Sequence, residues 1–226
     1  MAEEIAEEIE KIDKKELSVF VAQLKYPLYF MDFESYMGPI PEYVGHWPYR
    51  QVPFQFSVHR QEQPGGELAH KAFLAPEGCD PCPQFVEQLV NAMGDKGSVV
   101  VYNAGFERTR IEELKGDYPQ YKRALTNIQS RLVDLMTPFR KKHLYLPTMN
   151  GSYSLKSVLP ALVPELSYAG LEIGNGADAN TAFYNLRFEK DEKKKEETRE
   201  ALLTYCELDT LAMVRVLEKV ERVASS

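Results

Sequence analysis

The stretch YFMDFESY, residues 29–36, places two carboxylates, Asp32 and Glu34, inside an aromatic run that is typical of a buried β-strand. Residues two apart on a strand point to the same face, so we expect both acids on one face and Met31 with Phe33 on the other. Two like charges held side by side in apolar surroundings repel each other and are poorly hydrated. This stretch alone leaves two explanations open, a solvated edge strand and a bound divalent cation.

The composition is that of a globular protein with ample material for a core. The chain has 226 residues, of which 44% are hydrophobic and 27% charged. Its formal net charge of -7 argues against a broad basic surface that grips duplex nucleic acid. No run approaches the ~20 apolar residues of a membrane helix, and residues 1–16 lack the apolar centre of a signal peptide. We therefore expect a cytoplasmic protein that does not contact a membrane.

The pattern of apolar residues predicts a mixed sheet flanked by helices. Residues 1–25 are interpreted as a lead-in helix, and residues 26–226 as one domain. Strands are predicted in PLYFMDFE, PFQFSVHRQ, ELAHKAFLA, SVVVY and SRLVDLM, and helices over residues 81–93, 106–114, 154–162 and 192–223. Antiparallel strands followed by alternating strands and helices indicate an α/β fold with about five strands, of which the first three are antiparallel.

Two further stretches place polar side chains where ligands commonly bind. VVVYNAGFERTRIEEL puts Asn103 and Glu107 just after a central strand, at the start of a helix, and ligands of such sheets bind at the carboxyl ends of strands. LLTYCELDTLAM puts Tyr205 and Asp209 four residues apart on one helix, hence on one face. An aspartate there can hold a metal ion while the phenol one turn before it reaches the water that the metal activates.

The order of these motifs resembles that of the 3′–5′ exonucleases of RNase H-like fold that have four acidic metal ligands and a tyrosine in the third motif. Asp32 and Glu34 match the first motif, Asn103 and Glu107 the second, and Tyr205 and Asp209 the third. PYRQVPFQFS, GSYSLKSVLP and YCELDTLAM also resemble an uncharacterised bacterial domain family within that superfold, over about residues 26–220. Some relatives of that kind are longer chains with a further nuclease-like domain, which leaves open that this chain is part of a larger protein.

The resemblance implies a metal-dependent nuclease that hydrolyses phosphodiester bonds of DNA or RNA at a single-stranded 3′ end. It implies that two Mg²⁺ or Mn²⁺ ions are held by Asp32, Glu34, Glu107 and Asp209. Tyr205 would orient the attacking water. The family carries aspartate where this chain has Glu107, and the longer side chain motivates an alternative, a nucleic-acid-binding module that has lost efficient catalysis. A phosphodiesterase of small nucleotides is a further alternative.

Other candidate residues are expected around this site. Substrate contacts are expected from Phe33, Asn103, Asp134 and Lys156, with phosphate contacts also from Arg108, Arg110 and Arg131 and base stacking from Tyr36, Trp47 and Tyr49. Asp134 is either a reserve carboxylate or a helix N-cap. The CxxC of Cys79 and Cys82 is interpreted as incidental, because zinc needs two more ligands and no histidine shows a suitable spacing.

Overall fold

The computed structural model describes residues 10–226, so residues 1–9 of the predicted lead-in helix lie outside the described part. Within the described residues the chain forms seven strands: β1 (Lys11–Ile12), β2 (Leu28–Tyr36), β3 (Val52–Gln61), β4 (Leu68–Leu74), β5 (Val99–Val101), β6 (Leu132–Asp134) and β7 (Leu144–Tyr145). It also forms eight α-helices there: α1 (Lys14–Ala22), α2 (Cys82–Ala92), α3 (Gly105–Asp117), α4 (Lys122–Ser130), α5 (Thr137–Arg140), α6 (Leu155–Leu162), α7 (Gly176–Leu186) and α8 (Glu192–Ser225).

The central sheet has five strands in the order β4-β3-β2-β5-β6. β3 runs antiparallel to both of its neighbours, whereas β2, β5 and β6 run parallel to one another. The predicted α/β fold, a mixed five-stranded sheet flanked by helices with the first three strands antiparallel, is confirmed. β2 lies in the middle of the sheet and is covered on both faces, which excludes the edge-strand explanation for its acids.

β2 contributes to two cores because successive side chains of a strand point to opposite faces. Met31 and Phe33 join an apolar cluster that also receives side chains from α2, α3 and α4. Phe30 joins a second cluster, to which α1, α6 and the second half of α8 contribute. Asp32 and Glu34 follow Phe30 at two-residue spacing and therefore lie on the face that α8 crosses.

The ladder between β2 and β3 is irregular next to these acids. Glu34 pairs with Gln55, whereas the next residue of β2 pairs with Pro53, so Phe54 is an extra residue on β3. Such a bulge bends the strand, and it accommodates proline, which has no N–H to donate to the ladder. β2 ends soon after the bulge, and the chain enters a long loop over residues 37–51.

The lead-in helix is shorter than predicted within the described residues. Lys11 and Ile12 pair with β7 as the strand β1, and the helix begins only at Lys14. Asp13 sets this start, because its side chain accepts a hydrogen bond from the N–H of Glu16 at 3.1 Å. The helix ends at Ala22, shortly before the sheet begins.

Most predicted elements are confirmed near their predicted bounds, notably α2, α3, α6 and α8. Helices α4 and α5 were not predicted: α5 is a single short turn, and α4 buries only Leu125 and Ile128. The long helix α8 begins at a cap in which Asp191 accepts from the N–H of Lys193 at 3.0 Å. In residues 10–226 no helix has both the length and the apolar character that a bilayer span requires.

Candidate metal centre

Three of the four predicted acidic ligands converge where α8 crosses β2. Asp32 and Glu34 lie on β2, and Asp209 lies on the part of α8 that faces them. One carboxylate oxygen of each residue lies within 4.8 Å of the others. Glu34 and Asp209 are each 8% exposed, and Asp32 is partly buried. The fold thus brings an acid from the last helix against two acids from the first long strand.

Glu107 lies beside this group of three acids rather than within it. It occupies the first turn of α3, is 1% exposed, and its Oε2 atom has no hydrogen-bond partner. Besides burial and the other acids of the group, its charge contributes to the raised pKa of Asp32. That Glu107 shares one metal site with the other three acids therefore stays a prediction.

The acids of this site hold their protons more tightly than ordinary carboxyl groups. Burial raises the pKa of Glu34 to about 8, and the charge of Asp209 adds to the increase. Burial also raises the pKa of Glu107 to about 8, and Asp134 and Glu34 add to that increase. Burial and repulsion from the neighbouring acids raise the pKa of Asp32 well above its ordinary value. Several buried carboxylates cannot all ionise without a compensating cation.

Two phenols stabilise the charged form of Asp209. Tyr168 donates a hydrogen bond to its Oδ1 at 2.5 Å, and Tyr205, one turn earlier on α8, also stabilises it by hydrogen bonding. Burial raises the pKa of Asp209 only to about 6, because the phenols and the charge of Lys156 oppose the increase. Burial and the Asp209 charge raise the pKa of both tyrosines, so both remain hydrogen-bond donors. Tyr168 lies in an irregular segment after α6, and no motif or periodicity in the sequence indicates it.

Lys156 supplies one positive charge at the rim of the acidic site. Its exposed ammonium group donates to the backbone oxygen of Gly174 at 2.6 Å. It also lies 5.2 Å from the ring centroid of Tyr205 and 5.5 Å from that of Tyr168. Its charge opposes the burial that raises the pKa values of two of the acids. One ammonium group does not balance the charge of three carboxylates when all of them are ionised.

Phe33 is not available for the substrate contact that the sequence suggested. Its side chain is 3% exposed and packs edge-on against Phe85, with ring centroids 5.1 Å apart. It points to the face of β2 opposite the acids, because neighbouring residues of a strand alternate. Phe33 is a core residue, and the expectation that it contacts a nucleotide is wrong for this structure.

Asn103 and Asp134 shape the turn between β5 and α3. Asn103 adopts a left-handed backbone conformation with φ 72, and its N–H donates to Oδ1 of Asp134 at 3.0 Å. The same oxygen accepts the N–H of Met136 at 3.0 Å, and Arg140 lies 3.7 Å from Oδ2. Of the two roles considered for Asp134, capping of local backbone N–H groups accounts for these contacts. The side chain of Asn103 is exposed.

Three of the six other residues suggested for nucleic-acid contacts are held in structural interactions. Arg131 donates to four backbone carbonyl oxygens, and Arg110 donates to Gln51 and Glu113. Tyr36 is 4% exposed and belongs to the core. Arg108, Trp47 and Tyr49 remain exposed.

The donor set of this site fits a divalent cation. Carboxylate oxygens are the ligands that Mg²⁺ and Mn²⁺ prefer, and one oxygen from each of three acids converges here. The unpartnered Oε2 of buried Glu107 adds a fourth donor nearby. Asp32, Glu34 and Asp209 would hold such an ion.

Comparison with known proteins places the chain among uncharacterised relatives. The family model described as "Domain of unknown function (DUF2779)" matches residues 29–154, more than half of the chain. The chain belongs to this DUF2779 family. Uncharacterized protein UU173 of Ureaplasma parvum is 26% identical over 219 residues, and the Uncharacterized protein MG366 homolog of Mycoplasma pneumoniae is 25% identical over 213 residues.

The matched regions differ in how much of each protein they cover. Both comparisons span 86% of this chain but only 31% and 32% of the two relatives, so the chain spans about a third of their length. No solved structure matches the chain. The DUF2779 match includes Asp32, Glu34 and Glu107 and ends before Tyr205 and Asp209, so it covers only part of the acidic site.

Proposed function

We propose that this DUF2779 chain is a divalent-metal-dependent nuclease that hydrolyses phosphodiester bonds, removing nucleotides from the 3′ end of DNA or RNA. The observation that carries the proposal is the convergence of buried Asp32, Glu34 and Asp209, with carboxylate oxygens within 4.8 Å of one another. Burial of several acids together is unfavourable unless a ligand compensates their charge.

The topology and the position of the site support the proposal. A sheet whose first three strands are antiparallel and whose next two are parallel, in the order β4-β3-β2-β5-β6, is what the RNase H-like resemblance implies. The acidic pair on the central strand and the YxxxD pair of Tyr205 and Asp209 on the last helix occupy the places that the resemblance implies. The assignment to that superfamily is part of the proposal.

Each side chain of the site has a distinct role in this proposal. A divalent ion on Asp32, Glu34 and Asp209 would supply Lewis acidity and positive charge at a phosphodiester, and Glu107 is the carboxylate available to a second ion. Tyr205 remains protonated, because burial and the Asp209 charge raise its pKa, so it orients a water or a phosphate oxygen by donating a hydrogen bond.

The remaining groups shape the site around these acids. Tyr168 holds Asp209 in place through its hydrogen bond to Oδ1. Lys156, exposed at the rim, offers an ammonium group to a phosphate of the strand. Because the chain carries a net negative charge, such local contacts and the bound cations would hold a polyanionic substrate.

A second candidate function is a nucleic-acid-binding module on the same fold. The observation that favours it is the position of Glu107, whose carboxylate lies outside the group formed by the other three acids. A site that holds one ion well and a second ion loosely can bind a phosphate without efficient hydrolysis.

Incubation of the purified protein with Mn²⁺ and end-labelled single-stranded DNA, single-stranded RNA and dinucleotides tests these functions. We expect a ladder of products shortened from the 3′ end. Asp209→Asn keeps the size of the side chain but removes a metal ligand, and we expect it to slow cleavage by at least about a hundredfold. Tyr205→Phe should retain metal binding while slowing cleavage on the order of a hundredfold.

The other outcomes separate the alternatives. Binding of the labelled strand without cleavage, unchanged in Asp209→Asn, would support the binding module. Turnover confined to dinucleotides would support a phosphodiesterase of small nucleotides. Equal cleavage by wild type and Asp209→Asn would remove the acidic site from the reaction.

A further inference from the structure

A second group of metal-binding side chains lies at the start of α2, outside the acidic site. It consists of His46 from loop 37–51, Asp80 from the turn before α2, and Cys82 from the first turn of α2. The Nε2 atom of His46 lies 3.7 Å from Oδ2 of Asp80, and one donor atom of each residue lies within 4.8 Å of the others. Cys82 is fully buried, and the side chain of His46 is 7% exposed.

This arrangement changes the interpretation of the CxxC of Cys79 and Cys82. The sequence interpretation as incidental depended on the apparent lack of two further zinc ligands. The fold brings two further donors to Cys82: Asp80 lies between the two cysteines, and His46 comes from a different loop. Cys79 lies outside this group, so Zn²⁺ would have three protein ligands here. Spacing alone does not indicate this histidine, because tertiary contacts set the path of its loop.

The donor atoms suit Zn²⁺ in type and in orientation. Thiolate, imidazole and carboxylate groups bind Zn²⁺ in a tetrahedron with bonds of ~2.0–2.3 Å, so the donors here must close by about an ångström. Asp80 is already oriented, because its Oδ1 accepts the N–H of Cys82 at 3.0 Å while its Oδ2 faces His46. The ring of Tyr43 packs edge-on against the imidazole, with centroids 5.5 Å apart.

The charge of the group also suits a divalent ion. The nearby guanidinium group of Arg50 pairs with Asp117 and lies 4.6 Å from the ring centroid of Trp47. Its positive charge is therefore balanced outside the group. One thiolate, one carboxylate and one neutral imidazole together neutralise Zn²⁺.

We propose that His46, Asp80 and Cys82 bind Zn²⁺ and that the ion fastens loop 37–51 to the start of α2. The backbone hydrogen bonds of this loop include those from His46 to Tyr43 and from Tyr49 to Gly38, which hold the loop to itself. A long loop without secondary structure needs side-chain anchors to keep one conformation. The loop begins at residue 37, three positions after Glu34 of the acidic site.

Loading the purified protein with Co²⁺, a spectroscopic substitute for Zn²⁺, tests the proposal. We expect one equivalent of Co²⁺ to produce thiolate-to-cobalt charge-transfer absorption and the strong visible bands of tetrahedral coordination, and Zn²⁺ to displace both. The same spectrum is expected in Asp209→Asn, whose acidic site is disabled. His46→Ala and Asp80→Asn should each lose it, and Asp80→Asn changes a partly exposed side chain without changing its size.

The cysteines provide a matched pair of variants. Cys82→Ser removes the proposed thiolate but alters a fully buried position, so it is informative only if the variant folds. Cys79→Ser, at an exposed cysteine, should keep the absorption. Absorption that survives both His46→Ala and Asp80→Asn, or that is lost in Cys79→Ser alone, would show an adventitious thiol and overturn the site.

Hydrogen exchange tests the proposed anchoring of the loop. Zn²⁺ should slow amide exchange within residues 37–51 at least about tenfold, since the ion binds only the conformation in which His46 lies beside Asp80 and Cys82. His46→Ala should abolish that protection. Unchanged exchange in the zinc-loaded wild type would contradict the anchoring role. Neither result depends on nuclease activity, so the two proposals succeed or fail separately.

Discussion

Two polar clusters lie side by side beneath α8, and they differ in how their polar groups are satisfied. Asp32 of β2 and Ser57 of β3 are cross-strand partners, yet Asp32 belongs to the acidic site and Ser57 to a network of hydroxyl and imidazole groups. On α8, Asp209 belongs to the acidic site, and the next residue, Thr210, belongs to the hydroxyl and imidazole network. Adjacent positions on the same elements therefore meet opposite electrostatic conditions.

The network around Thr210 is closely hydrogen-bonded. The Oγ1 atom of Thr210 lies 2.7 Å from Oγ of Ser57 and 2.8 Å from Nδ1 of His59. The same Ser57 hydroxyl lies 2.9 Å from Nε2 of His70, whose ring stacks on that of His59. Burial lowers the pKa of His59 to about 4, and the charges of His70 and Arg215 add to the effect, so its ring is neutral at pH 7. Hydroxyl and imidazole groups that are hydrogen-bonded to one another in this way fix local packing.

The acidic site has the opposite properties. Its groups carry like charges, their pKa values are raised by burial, and the Oε2 atom of Glu107 has no partner. Acids that ionise while buried together lower the stability of the fold, and their carboxylate oxygens can bind a cation that compensates the charge. The two clusters show that buried polar groups differ in whether their charge is compensated, and our proposal of a cation site depends on the cluster in which it is not.

The pH dependence of stability should give the largest contrast between the clusters. Glu34 has a pKa of about 8 in the folded protein and an ordinary value of 4.5, so the folded protein keeps a proton that the unfolded chain releases. The stability that this retained proton contributes is fully present below pH 4.5 and is lost as the pH rises through 8. Glu34→Gln cannot ionise, so it should not lose this stability. With about 1.4 kcal/mol per pKa unit, we expect its free energy of unfolding to gain on the order of 3–4 kcal/mol over that of wild type across that range.

Urea unfolding of the metal-free proteins at pH 5 and pH 8 measures this difference. Glu87→Gln, on the exposed side of α2, is the matched control and should show the same small effect at both values. A stability difference between Glu34→Gln and wild type that does not change with pH would contradict the repulsion inferred for the acidic site.

Mn²⁺ addition should produce the next largest effect, mainly through the acidic site. A cation that binds the folded site alone stabilises by about 3 kcal/mol at a concentration of 100 times Kd. We expect Mn²⁺ at pH 8 to raise the Tm of wild type and of Thr210→Val, and EDTA to reverse the change. Asp209→Asn should lose most of the increase; an equal increase in that variant would place the ion elsewhere.

Loss of the Thr210 hydroxyl should produce the smallest effect and should leave the acidic site intact. Thr210→Val keeps the shape of the side chain but leaves Nδ1 of His59 without its partner, which should cost about 2 kcal/mol of stability. Thr204→Val, on the exposed side of the same helix, is the control and should cost little. Cleavage by Thr210→Val should stay near the wild-type rate. A strong loss of cleavage without unfolding would mean that the two clusters are coupled.

Much of the fold was predictable because its signals are local. The β-branched run of β5 and the hairpin of β3 and β4 appear directly in the residue pattern. α8 was predictable because its second half is apolar on one side. α4 was not, because a helix that buries two apolar residues has too weak a period to stand out.

The candidate site was predictable only in part. Asp32 with Glu34 and Tyr205 with Asp209 each share a face by the geometry of a single strand or helix. The sequence does not indicate that Tyr168 reaches Asp209, or that His46 approaches Cys82, because those residues come from irregular segments. It also does not indicate that Glu107 remains outside the group of three acids.

The residue pattern was enough to predict most of the element types, the face on which each pair of polar residues lies, and the negative charge of the chain. Only the tertiary structure decided which of those faces meet, which carboxylates share a site, and which polar groups find partners. The reason is physical: local periodicity is set within a few residues, whereas the distance between remote side chains depends on strand order, helix crossing and the path of loops, which the whole core fixes together.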